Sequence, residues 1–121
     1  MSASEQLTPQ AVVLQLAALA RELDSTVTAL KAADLDATEK RHAADMAESL
    51  AFVRAEGSMD LRKHLARIEA GPLEKEALVA EAVVRYLRQR INAIATRIEV
   101  GRSAGAALRA ELSALPYDQS A

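Results

Sequence analysis

The sequence contains no cysteine and no tryptophan, and only three of its 121 residues are aromatic. Without cysteine the chain cannot form a disulfide, a thiolate zinc site or a thiol nucleophile. Glycine and proline together contribute only seven residues. A β-sheet draws on aromatic and β-branched pairs, whereas a composition dominated by alanine and leucine is typical of long helices. The composition therefore predicts an all-α protein.

Long apolar runs are lacking as well. The longest, residues 11–20, is interrupted by Gln15 and is too short to span a bilayer. Glu5 is the only charged residue before it, so the segment does not have the basic start of a secretory signal. We expect a cytoplasmic protein.

Local signals divide the chain into helices. Thr8 followed by Pro9 predicts a helix start, and no glycine or proline interrupts residues 10–56. Glu56-Gly57-Ser58 predicts a stop followed by a new start, with Asp60 in the new first turn. The apolar positions of the first helix are predicted at Val12, Leu16, Leu19, Leu23, Val27, Leu30, Met46, Leu50 and Val53.

The second half of the chain predicts two further helices. A short connecting helix carries Leu61, Leu65 and Ile68 and ends at Gly71-Pro72; a long helix then starts at Pro72 and stops before Pro116. The predicted fold is a long helical hairpin (long helix, short connecting helix, long helix) with coiled-coil packing. Residues 9–115 form a single domain, with tails at 1–8 and 116–121.

Apolar residues follow an alternating spacing of three and four from Leu73 to Leu115, which predicts a helix that winds around a partner helix. Val79, Val83 and Tyr86 add a second apolar edge beside this seam. Two edges favour self-association over a closed three-helix monomer. The candidate oligomer seam consists of Val84, Leu87, Ile91, Ile94, Ile98, Gly101, Gly105 and Leu108.

Two glycines of that seam, Gly101 and Gly105, allow three interpretations. Each costs about 1 kcal/mol relative to alanine inside a helix unless another backbone packs closely against it. The alternatives are such a close contact, a helix stop at Gly101 with a new helix starting at Ser103, or a hinge.

Arginines are concentrated in residues 82–110, where six arginines and one acidic residue give a local net charge of +5. Arginines that flank a coiled-coil seam commonly pair across it, and Asp24, Asp34, Asp36, Asp45 and Glu48 are available as partners. The alternative is contact with nucleic-acid phosphates. The candidate nucleic-acid-binding residues are Arg85, Arg88, Arg90, Arg97, Arg102 and Arg109.

Catalytic and metal-binding patterns are sparse. Glu39, His42 and Asp45 share a helix face, but the second copy that a carboxylate di-iron site requires is missing. We find no Ser-His-Asp spacing and no glycine-rich phosphate loop. We therefore predict a protein that is not an enzyme, has no cofactor and no metal site, and uses no small-molecule substrate or membrane.

Residues 74–100 resemble the C-terminal half of small phage recombination mediators of the UvsY type. The likeness consists of a charged helix start, the Tyr86-Leu87 pair, and the Ile-x-x-Ile-x-x-Arg pattern that begins at Ile91. The chain lacks the aromatic residues of that family and carries glycines after the matching segment. The resemblance implies an oligomeric single-strand binder that helps to load a recombinase, with Arg97 in its basic segment.

These observations lead to three functional hypotheses. The first is a non-enzymatic phage-type accessory protein that self-associates and assists DNA recombination or replication, possessing affinity for single-stranded DNA or for a recombination protein in the host cytoplasm. The second is a structural oligomeric adaptor whose charges are satisfied internally. The third is a small inhibitor that binds a host protein through its acidic N-terminal helix.

Overall fold

The computed structural model describes residues 7–115, and two helices occupy nearly all of this range. Helix α1 is Pro9–Arg54 and helix α2 is Met59–Ala114, with no strand between residues 7 and 115. The two helices pack against each other. The predicted all-α class and helical hairpin are thereby confirmed. Residues 1–6 and 116–121 of the predicted tails, with the stop at Pro116, lie outside the described residues.

Both helix starts agree with the sequence prediction. Thr8 Oγ1 accepts a hydrogen bond from the backbone N–H of Ala11 at 3.0 Å, and Ser58 Oγ accepts one from Leu61 at 3.2 Å. Each hydroxyl satisfies an amide that has no partner within its helix. Gly57 has a φ of 114°, a conformation that favours glycine, and it lies in the connection between the helices.

The predicted short connecting helix that ends at Gly71-Pro72 is wrong, because α2 continues through both residues. A proline normally disfavours a helical conformation at the preceding residue through a clash that involves the Cβ of that residue. Gly71 has no Cβ, which reduces the clash. Ala70 and Ala77 are buried on either side of Pro72, so packing supports the continuous helix.

The described residues form two compact units. We call Val27–Gln89 the turn unit, because it contains the connection between the helices. Residues 7–26 and 90–115 form the terminal unit. Each unit contains a segment of α1 and a segment of α2.

Alanine occupies most of the buried positions of the turn unit. Ala37, Ala80 and Val84 form a buried cluster against which Leu30 and Ala33 pack. The other buried residues of this unit are Ala44, Ala51, Ala66, Ala70 and Ala77. Because these side chains are small, the two helix backbones can approach closely.

The sequence prediction for the apolar stripe of α1 is wrong at its last three positions. Met46, Leu50 and Val53 are 47%, 47% and 72% exposed, whereas Ala44 and Ala51 are buried. Between Leu30 and Met46 the buried positions of α1 are Ala37 and Ala44, so the stripe continues in alanines that the predicted set of larger apolar residues does not include.

Larger side chains fill the interior of the terminal unit, where Val12 and Ile94 are buried. Val27 is predicted to lie on the apolar stripe of α1, but the buried residue here is its neighbour Thr26. The Thr26 hydroxyl donates a hydrogen bond to the carbonyl oxygen of Glu22 at 2.7 Å, so its burial leaves no polar group unsatisfied.

Helix α2 also continues through Gly101 and Gly105, so the predicted helix stop at Gly101 is wrong. A Cβ at Gly101 would lie 2.7 Å from Leu16 Cδ2, and one at Gly105 would lie 3.2 Å from Val12 Cγ1. The close contact at both glycines is therefore made by side chains of α1 and not by its backbone. A hinge at this point stays a prediction.

Candidate nucleic-acid interface

The six candidate arginines all lie on α2 and all are exposed. Arg85 and Arg88 belong to the turn unit; Arg90, Arg97, Arg102 and Arg109 belong to the terminal unit. The helix places these residues on the surface because none of them occupies a buried position of the three-four repeat.

Two of the six arginines form ion pairs. Arg90 Nη2 lies 2.5 Å from Glu22 Oε1 and thereby links α2 to α1. Arg102 Nη1 lies 3.1 Å from Glu99 Oε1, one turn earlier on the same helix. A guanidinium group held by a carboxylate is less available to a phosphate, so these two residues are the weaker candidates.

The other four candidates are Arg85, Arg88, Arg97 and Arg109. Within residues 7–115, no carboxylate lies within ion-pair distance of any of them. Their guanidinium groups are thus exposed positive charges that the described fold does not use for ion pairing.

Three of the acids of α1 that are predicted to pair with these arginines (Asp36, Asp45 and Glu48) lie next to other basic residues. Asp36 binds Lys40 at 3.0 Å, and Asp45 lies 3.7 Å from Arg41. Glu48 lies 4.0 Å from Arg67. The basic residues that neutralise α1 are therefore largely outside the predicted set.

Arg41 makes a charged network that the sequence analysis missed. Its Nη1 donates a hydrogen bond to Glu74 at 2.6 Å, and its Nη2 and Nε donate to Glu81 at 2.7 and 3.1 Å. Hydrogen bonds from Arg41 lower the pKa of Glu81, and those with Glu81 and then Glu74 raise the pKa of Arg41. The sequence feature that could have indicated this network is the seven-residue spacing of Glu74 and Glu81, which places both on the same side of the seam.

Arg85 and Arg88 line a cleft of about 480 Å³ between the helices of the turn unit. Asp34, Arg41 and Glu81 line the same cleft. Three arginines and two carboxylates thus line this space, and Arg41 is already bound to Glu81. Arg85 and Arg88 are the arginines of the cleft that form no ion pair, and both are exposed at its surface, where we expect phosphate contact.

The candidate seam residues pack within the chain. Val84, Ile94 and Gly105 are buried, and the remaining five (Leu87, Ile91, Ile98, Gly101 and Leu108) are partly buried. Val84 clusters with Ala37 of α1, and the two glycines meet α1 side chains as described. An assembly that keeps this packing must use another surface, and self-association itself stays a prediction.

Among residues 7–115, no group of three histidine or acidic side chains is arranged to hold a metal ion. Neither α1 nor α2 offers a stretch long and apolar enough to cross a membrane.

No protein-family model, no curated protein and no solved structure matches this chain. The resemblance of residues 74–100 to recombination mediators stays a prediction.

Proposed function

We propose that this protein is a non-enzymatic, self-associating helical accessory protein of the phage type that binds single-stranded nucleic acid and assists DNA recombination or replication in the cytoplasm. The observation that carries the proposal is the set of exposed arginines on α2 that form no ion pair within residues 7–115: Arg85, Arg88, Arg97 and Arg109. Of these, Arg85 is near enough to Glu81 to help lower the pKa of that carboxyl. Guanidinium groups match the geometry of phosphate oxygens.

Recognition of this kind is independent of base sequence. Each arginine contributes a separate phosphate contact, so the four residues need not form a single pocket. Stacking of bases on aromatic side chains requires aromatic residues, and α2 carries only Tyr86. We therefore expect similar affinity for different single-stranded sequences and a steep dependence on salt.

A structural adaptor is the second candidate function. It is favoured by the ion pairs of Arg90 and Arg102, which satisfy two candidate arginines within the fold. The inhibitor hypothesis is weaker, because Asp36, Asp45 and Glu48 on α1 already face basic side chains of the same chain.

The test is a titration of a fluorescently labelled single strand at about 50 mM salt and then at increasing salt. Replacing Arg88, Arg97 and Arg109 together by glutamine should weaken binding at least tenfold and reduce the salt slope by about two, since each phosphate contact on a single strand contributes roughly 0.7. The loss should be the same for strands of different sequence.

A matched control replaces three exposed basic residues of α1, namely Arg21, Lys31 and Arg54, by glutamine. The change in net charge is identical, so a nonspecific charge effect would weaken both triple variants equally. Equal weakening, or no binding by the unmodified protein at about 50 mM salt, favours the adaptor, because an overall charge of −2 is too small to mask a site.

A further inference from the structure

A second apolar stripe follows α2 through the turn unit. Its members recur at spacings of four, three and seven residues: Leu61, Leu65, Ile68, Pro72, Val79, Val83 and Tyr86. The six large side chains other than Pro72 are between 43% and 73% exposed. Because α2 does not break at Pro72, residues that the sequence assigned to two helices belong to one continuous surface, which we call the outer stripe.

In the turn unit, most of the residues that α2 buries are alanines, whereas several of its larger apolar residues are exposed. Ala66 is 1% exposed on the inner side, whereas Ile68 is 73% exposed on the outer stripe. Burial of apolar area is the main force that drives association of protein surfaces in water. The leucine, isoleucine and valine side chains of the outer stripe therefore offer apolar area for another contact.

We propose that the outer stripe binds the outer stripe of a second copy of this chain, with the two α2 helices antiparallel. A stripe with heptad spacing is complementary to another of the same spacing, and a two-fold axis lets one surface serve both copies. The six large side chains expose on the order of 600 Å² per chain, so two copies would bury about 1,200 Å², the lower end of specific interfaces.

Charged residues interrupt the outer stripe at its middle. Lys75 occupies the gap between Pro72 and Val79, with Glu69 and Glu76 beside it. None of these three residues forms an ion pair with another part of the described chain. A two-fold axis near residues 73 and 74 sets Lys75 opposite Pro72 of the second copy and about 4.5 Å along the helix from its Lys75 and its Glu69, whereas parallel helices in register place the two lysines at the same level. The antiparallel orientation therefore separates the two lysines.

The apolar residues are compatible with the same axis. It sets Ile68 opposite Val79 of the second copy and Leu61 opposite Tyr86. Each large side chain then meets an apolar neighbour, and Lys75 lies near the centre of the interface, where Glu69 is the nearest acid of the second copy.

The first experiment measures mass by sedimentation equilibrium at micromolar concentrations. The unmodified chain should be a dimer, and Ile68→Glu should raise the dissociation constant roughly 100-fold or more, because it would bury an unpaired charge. Ile68 is exposed in the single chain, so the variant should keep its helical circular dichroism. The control is Leu35→Glu, which changes an exposed leucine (63%) of α1 outside the outer stripe and should leave the dimer intact.

The second experiment measures orientation. Because the chain has no cysteine, His64→Cys and Gln89→Cys each give one site for a spin label. With a rise of about 1.5 Å per residue, the antiparallel dimer predicts label separations of roughly 30 Å at position 64 and roughly 45 Å at position 89. Parallel helices would give short and equal separations, below about 20 Å at both positions.

A monomer at all concentrations, a dimer that Ile68→Glu leaves unchanged, equal loss in Leu35→Glu, or short equal label separations would each overturn the proposal. The inference rests on the self-association in the proposed function but not on nucleic-acid binding. A dimer that does not bind single-stranded DNA would remove only the nucleic-acid part, and a monomer that binds it would remove this interface and the proposed self-association but leave nucleic-acid binding.

Discussion

A single residue, Arg41, links the two helices of the turn unit through hydrogen bonds to Glu74 and Glu81. Most buried residues of this unit are alanines. Because these side chains are alike and small, their packing distinguishes poorly between different registers of α1 against α2. The residues that flank the seam of α2 at seven-residue intervals are Arg67, Glu74, Glu81 and Arg88. A slip of one heptad in either direction would bring an arginine against Arg41. We infer that this charge pattern fixes the register that alanine packing leaves open.

The same network predicts a pH dependence of stability. The pKa of Glu81 is lower in the folded chain than its ordinary value of about 4.5, so its contribution is present above that pH and is lost as the pH falls through the lowered pKa. Glu81→Gln should therefore melt below the unmodified chain at pH 7, and this difference should narrow as the pH falls below about 4.5. Thermal melts monitored by circular dichroism measure it.

Glu39→Gln is the control for that prediction, because Glu39 is exposed and makes no ion pair within residues 7–115. It should change the melting temperature little at pH 7 or at low pH. A Glu81→Gln deficit that does not narrow at all as the pH is lowered below about 4.5 would mean that the lost contact was not ionic.

The sequence predicts where both helices start, but it does not predict that α2 continues through Pro72. Thr8, Gly57 and Ser58 act locally, through caps and a backbone conformation, so the sequence alone identified them. Pro72 predicts a boundary because proline weakens a helix locally. In the structure α2 continues through Pro72, and its packing against α1 outweighs that local cost. Such packing involves residues distant in sequence, so no local signal indicates it.

The two glycines of the terminal unit give a prediction on helix continuity. Gly101→Ala should stabilise the chain by about 0.5 kcal/mol, because the gain in helix propensity exceeds the cost of rotating the end of the Leu16 side chain. Gly105→Ala should give no gain, since Val12 is buried and, being β-branched, cannot turn its methyl away. Denaturant melts of both variants measure the difference.

The second half of that test is a double-substitution cycle. In a Val12→Ala background the obstructing methyl is gone, so Gly105→Ala should become stabilising by about 0.5–1 kcal/mol. If Gly105→Ala already stabilises the unmodified chain as much as Gly101→Ala does, the Val12 contact carries no cost.

For the molecule as a whole, the sequence predicted the class and the hairpin but misplaced the large apolar residues of α1. The spacing of four and three predicts Met46, Leu50 and Val53 on the inner face of α1. Here Ala44 and Ala51 take those positions. The candidate site was located less well: the positions of all six arginines on α2 followed from the sequence, but which of them are paired depends on contacts such as Arg90 with Glu22.

Exposure of large apolar side chains has a consequence for the stability of the whole chain. If the folded state is completed by a second copy, unfolding also separates two chains, and mass action makes the melting temperature rise with protein concentration. We expect a hundredfold increase in concentration to raise the melting temperature of the unmodified chain by several degrees. Ile68→Glu, which should remove the dimer but not the helices, should melt at a temperature independent of concentration. Calorimetry over that range measures both, and a concentration-independent melt of the unmodified chain would show that its apolar surface takes no part in holding the fold.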